Sequence, residues 1–191
     1  STALRTGSGV LRGFDELFAD DVPACAWCAE QDGPRLLFVH TFDVHVPYCW
    51  SAVPDVQAKG DAWPDVASEI CDRLDLSPED VPGDKTQFHR LVARLARAKL
   101  EVKETARLLL DWYLRGVNWF DRVRWPRLCD ALKGAGLYED ALIVLFADHG
   151  EAVMLDTAGT PLNHGSALLE DVVRVPLVIR GPGVEPGIQG R

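Results

Sequence analysis

Three stretches run apolar through their centres: RLLFVH (Arg35 to His40), ALIVLFA (Ala141 to Ala147) and VPLVIRG (Val175 to Gly181). None alternates polar with apolar residues, the pattern expected of strands covered on both faces in a parallel sheet. A different periodicity fills the region between the first two. Phe88, Leu91, Leu95, Val102, Ala106, Leu109, Tyr113 and Val117 recur at helical intervals and mark one apolar face. A helical region over 88–136 is therefore expected, with a break at Trp125–Pro126. PRLCDALKGAG then reads as a second helix with Pro126 in its first turn and Gly134 or Gly136 near its end. Residues 51–87, rich in Pro, Asp and Gly, read as a surface excursion with one short helix near Val66 to Leu74. Strands alternating with helices give an α/β class with a mostly parallel sheet sandwiched by helices.

A chain of 191 residues fits a single domain, and one of this length buries about 70% of the surface its unfolded form exposes. Neither disulfides nor a structural metal are needed to hold it together. Its 20 Lys and Arg against 29 Asp and Glu leave a net charge of −9, which opposes bulk attraction to nucleic acid or anionic membrane. The longest apolar run, Ala141 to Ala147, is far short of the roughly 18 residues a membrane span needs. No nucleic acid and no membrane span are expected. The first segment, STALRTGSGVLRGFDELF, has no initiator methionine and no signal-type apolar stretch, so the chain is expected to begin within a longer protein.

Two features with a chemical reading have a simpler one. Cys25 and Cys28 form a CxxC, the spacing of a redox pair or half a zinc site. With no second CxxC in the chain, ordinary apolar cysteines are the favoured reading. Arg90, Arg94, Arg97, Lys99, Lys103 and Arg107 crowd the long helix as a phosphate-binding stripe would, but a solvated face offsetting the acidic remainder is the expectation. Trp112, Trp119 and Trp125 are expected in the core or at a domain contact rather than in a stacking platform.

In open α/β sheets ligands bind beyond the carboxyl ends of the strands, and the residues there are unusually polar. His40, Asp43 and His45 follow the first run; Asp148, His149 and Glu151 follow the second; His164 precedes the third. Four of the five histidines thus fall in three short loops that one sheet edge would gather. Adjacent Asp148 and His149 offer an oxygen and a nitrogen donor to one cation, with Gly150 permitting a tight turn. A polar strand end without metal is the alternative for that pair in isolation. His40, inside an apolar run, reads as a satisfied core residue.

Taken together, FVHTFDVHVPY, GLYEDALIVLFADHGEAV and NHGSALLEDVVRVPLVIRGPGV, in this order and with GFDELF ahead of them, closely resemble the sulfatase family of the alkaline phosphatase superfamily. The resemblance implies an alkaline-phosphatase-like α/β fold and hydrolysis of a small-molecule or glycan sulfate ester at a divalent metal. Calcium is the first choice, with manganese, magnesium or zinc as alternatives. By the resemblance, Asp148 matches a metal-ligand aspartate and His149 its neighbouring ligand. His45 matches a histidine that contacts the sulfate group or the leaving oxygen. His164 falls where relatives carry a Lys or His on the sulfate, so His45 and His164 are the catalytic candidates. The family's nucleophile is a formylglycine made from Cys or Ser in a CxPSR-type segment. Neither that segment nor the family's first metal-binding aspartates have a match here, and both normally lie upstream. The 191 residues correspond to a middle-to-late, incomplete piece of one catalytic domain, expected to be inactive alone. A phosphodiesterase, phosphonate hydrolase or phosphoryl transferase of the same superfamily is the competing activity; a non-catalytic remnant is the reading from another class.

Overall fold

The computed structural model describes residues 13–45, 72, 90, 102–152, 164 and 168–187. Two compact units emerge: Ser1–Phe42 with Arg124–Phe146 and Pro176–Arg191, and Asp43–Val123 with Ala147–Val175.

In the first unit, helix α1 (Asp21–Glu30) buries Ala24, Cys25 and Cys28. These small residues make no strong apolar stripe, which is why the sequence pattern does not announce this helix. Asp21 lies in the first turn, where an acidic group complements the helix dipole. At the other end, the Arg35 guanidinium donates to the carbonyls of Cys28 and Ala29 at 3.1 and 3.2 Å, satisfying acceptors the last turn leaves open. The CxxC therefore lies inside a helix, with both thiols free and buried.

A long helical stretch crosses from the second unit into the first. Helix α2 (Val102–Trp119) is followed without interruption by a π-helical turn (Phe120–Arg124) and helix α3 (Trp125–Gly134). The expected break at Trp125–Pro126 is instead this widened turn. Pro126 has no N–H to offer the carbonyl one turn back and its ring crowds that position, so the helix widens just ahead of it. The end of α3 matches its glycine signal. Gly136 takes φ +71°, and the amides of Gly136 and Leu137 donate to the carbonyls of Lys133 and Leu132 at 3.0 and 2.9 Å, a Schellman closure.

Helix α1 packs on α3, whose Cys129 and Leu132 are buried. Asp21 and Arg124 bridge the contact with two hydrogen bonds, Nη1 to Oδ2 and Nη2 to Oδ1, at about one-fifth side-chain exposure. In the second unit the buried residues described along α2 and the π turn are Ala106, Trp112, Gly116, Trp119 and Val123. Ala106 belongs to the expected face, but farther along it Val117 is exposed and Tyr113 only half-buried. The large indoles outcompete smaller side chains for the interior, each contributing on the order of 3 kcal/mol when buried. Trp112 and Trp119 are thus core residues as expected, whereas Trp125 is half-buried.

Strands β1 (Ile143–Phe146) and β2 (Leu177–Arg180) lie within the second and third apolar runs. Helix α4 (Glu170–Val173) precedes β2. The strands pair antiparallel, with Ile143 opposite Arg180 and Phe146 opposite Leu177. The expected parallel order is corrected here, as is the first run, because 35–40 lies outside any strand. The hydrogen bonding gives the reason. Just past β1, the Gly150 amide donates to Val172 O, just before β2, at 2.7 Å. A chain that returns to the end it left runs antiparallel, and an apolar run carries no direction of its own. Nor are the strands covered on both faces: Val144, Phe146, Leu177, Val178 and Ile179 stand between 46% and 62% exposed. Arg180 ties β2 to the α3–β1 connection by bonding Tyr138 O and Glu139 Oε2, its guanidinium stacked 4.0 Å over the Tyr138 ring.

The excursion 51–87 lies outside the described residues except for Asp72, which is helical and exposed. Of the basic positions, Arg107 is exposed and paired with Asp111 at 3.0 Å, as on a solvated face, and Arg90 is exposed. The side chains of Arg94, Arg97, Lys99 and Lys103, with Phe88, Leu91 and Leu95, lie outside the described residues. No helix among the described residues is long and apolar enough to cross a membrane.

Candidate functional site

The second unit brings together the residues singled out around the strand ends. His164 is central. Its imidazole stacks on His149 with ring centroids 3.9 Å apart and planes at 21°. His45 meets it edge-on at 5.9 Å. Asp148 adjoins His149, and its Oδ1 accepts the His149 amide at 3.0 Å. His45, Asp148, His149 and His164 thus come together.

Gly150 makes this arrangement possible, though not through the turn geometry expected of it, since its φ is outside the positive range. The constraint is proximity. A Cβ placed on Gly150 would lie 2.0 Å from Asp171 O and 3.3 Å from Val172 Cα, so only glycine lets the loop seat against α4. That seat holds Asp148, His149 and Glu151 together.

The donors at Asp148 and His149 have a defined orientation. His149 Nδ1 is 2.8 Å from Gly150 O; a carbonyl only accepts, so Nδ1 carries the hydrogen and Nε2 is left for another partner. Metal-binding histidines are held in the same way, by a backbone acceptor on the other ring nitrogen. His149 Nε2 and Asp148 Oδ1 are 3.7 Å apart. Two ligands of one ion, each at about 2.0–2.5 Å, take a separation of this kind. The Asp148 side chain is 83% exposed, within reach of an ion from solvent. As a pair these donors fit a divalent cation. Among the described residues, no group of three or more His, Cys, Asp or Glu is arranged to hold one.

Glu151 carries no sequence signal beyond its place in the polar loop. In the structure its side chain is only 8% exposed, and its Oε1 lies 3.1 Å from His164 Nδ1. Tyr113 of α2 is nearby: burial first, then the Glu151 charge, pushes its hydroxyl above the ordinary tyrosine range. His40, expected in the core, is exposed in the first unit instead, stacked on Phe38 and edge-on to Phe42 at 4.7 Å. It belongs to an aromatic row outside the site.

The family model for sulfatases matches residues 5–189. This chain belongs to the sulfatase family. With membership comes an alkaline-phosphatase-like α/β fold, and members generally use a divalent metal. The chain is also similar to a choline-sulfatase of Rhizobium meliloti (strain 1021), at 29% identity over 123 residues. That alignment covers 63% of this chain and 23% of the relative, so the chain spans about a quarter of the length of the curated relative it matches. No solved structure gives a significant match.

Proposed function

We propose that the chain supplies part of the active site of a metal-dependent sulfate ester hydrolase. The observation that carries this reading is the convergence of His45, His149 and His164 beside Asp148, in a chain of the sulfatase family.

Asp148 and His149 are two ligands of a divalent ion, through a carboxylate oxygen and Nε2. Calcium is the first ion to test; an imidazole beside a carboxylate also suits manganese, magnesium or zinc. When bound, the ion supplies positive charge to the sulfate oxygens as the ester bond breaks. His164 faces the sulfate group through Nε2, because its Nδ1 is engaged by Glu151. His45, at the edge of the His164 ring, donates a proton to the departing alkoxide. The nucleophile, a formylglycine, comes from sequence other than these 191 residues. The substrate class is a small-molecule or glycan sulfate ester.

The test uses the full-length protein. Asp148→Ala should lose bound metal, measured by elemental analysis, together with turnover. His45→Ala should keep the metal and lower turnover by roughly 10²–10⁴-fold, most for esters with poor leaving groups. Unchanged metal content in Asp148→Ala would remove the ligand assignment.

A further inference from the structure

Glu151 and Asp148 sit in one loop but in opposite surroundings, the first side chain 8% exposed and the second 83%. A carboxylate is withdrawn from water at a cost unless it finds a donor. One donor here is His164. A carboxylate presents acceptors only, so the hydrogen shared across the 3.1 Å between Oε1 and Nδ1 belongs to the imidazole. One ring nitrogen is thereby engaged, and the other, Nε2, is the atom left for a ligand. The His164 ring is also confined by neighbours, lying flat on His149 and edge-on to His45.

We propose that Glu151 is a positioning residue of this site: its buried carboxylate holds Nδ1–H of His164 and so fixes the ring orientation and the nitrogen, Nε2, that meets the anionic sulfate group of the ester. The proposal rests on the sulfate-ester reading for what Nε2 touches, and on the structure alone for the grip on Nδ1. Burial first, and then the charge of the Glu151 carboxylate, raise the pKa of the Tyr113 hydroxyl on α2. Gly150, the residue before Glu151, seats the backbone against α4.

The experiment combines two readouts on the full-length protein and its Glu151→Ala and Glu151→Gln variants. The first is the tautomer of His164 at fixed pH, from long-range ¹⁵N–¹H correlations of histidine-labelled protein. In the parent, Nδ1 should carry the hydrogen; Glu151→Ala should lose that preference, and Glu151→Gln, whose amide oxygen still accepts, should keep it. The second readout is steady-state hydrolysis of an aryl sulfate. Glu151→Ala should lower kcat roughly 10–100-fold, the usual effect of losing such an orienting partner, with KM changed much less. Glu151→Gln should recover most of kcat, and Glu151→Ala should add little to the loss in His164→Ala. An unchanged His164 tautomer in Glu151→Ala, or additive losses with His164→Ala, would overturn the positioning role. If Glu151→Ala fails to fold, the Gln variant decides alone: loss of both tautomer and kcat in a folded Gln protein contradicts the proposal. A parent protein inactive on the aryl sulfate would count against the sulfate reading, while the tautomer measurement still decides Glu151.

Discussion

Asp148, His149, Gly150 and Glu151 are four consecutive residues with four different tasks, and local geometry separates them. Asp148 faces solvent. His149 has one ring nitrogen tied to Gly150 O and the other directed back toward Asp148. Gly150 carries the close approach to α4, and Glu151 turns inward to His164. The gathering of His45, Asp148, His149 and His164 is legible in the sequence because carboxylates and imidazoles lie close to apolar runs. The part played by Glu151 is not, since burial and a hydrogen bond to a residue far along the chain leave no local pattern. Gly150→Ala is the most specific probe of this loop. Its Cβ would meet backbone, which has no rotamer to change, so the loop must move and stability should fall by about 1–3 kcal/mol. A urea titration measures the loss, and bound metal should fall alongside it. A variant as stable as the parent would mean that the loop is not seated as described.

Among the elements, α3 is the one whose limits the sequence spells out, through Pro126 at its start and Gly136 just past its end. The positions of β1 and β2 are legible as apolar runs, but their antiparallel pairing is a non-local register that an apolar run does not encode. Helix α1 escapes sequence reading because Ala24, Cys25 and Cys28 are small and break no polar pattern. Its packing on α3 nevertheless sets the chemistry of a thiol. Burial foremost, with the charge of Asp21 and then Cys28, pushes the Cys25 thiol above its ordinary value. The folded state therefore holds this proton to higher pH than the unfolded state does. The associated stability is intact below the unfolded thiol's pKa and is lost as pH rises through the raised folded value. Alkylation of Cys25 by iodoacetamide, followed by peptide mass spectrometry, should show a reaction midpoint above that of an unfolded control. Asp21→Asn should lower this midpoint by removing the nearby negative charge, and should also weaken the α1–α3 contact by breaking the charged pair with Arg124. A Cys25 midpoint at or below the unfolded control would contradict this environment.

For the whole molecule, two features bear on what these residues do by themselves. The sheet exposes Val144, Phe146, Leu177, Val178 and Ile179, large apolar side chains close together on paired strands. Clusters of this kind mark surfaces that bind protein or promote association. The 191-residue chain expressed alone should therefore bind the dye ANS and associate despite its charge of −9, and Val144→Lys with Ile179→Lys should reduce both effects. A monodisperse parent chain without ANS binding would argue that this surface is covered. The second feature is the donor count. Asp148 and His149 alone hold a hard cation poorly, since calcium gathers six to eight ligands and magnesium six. The chain alone should accordingly show neither tight metal binding nor hydrolysis, and metal-dependent turnover by it would show that other residues carry the reaction. Which ester the complete site cleaves is decided by comparing kcat/KM of the full-length protein on an aryl sulfate and a matched aryl phosphodiester, with calcium, manganese, magnesium or zinc supplied in turn. The sulfate should be the better substrate with at least one ion, and its hydrolysis should be lost in Asp148→Ala; a preference for the phosphodiester with every ion would contradict sulfate ester hydrolysis.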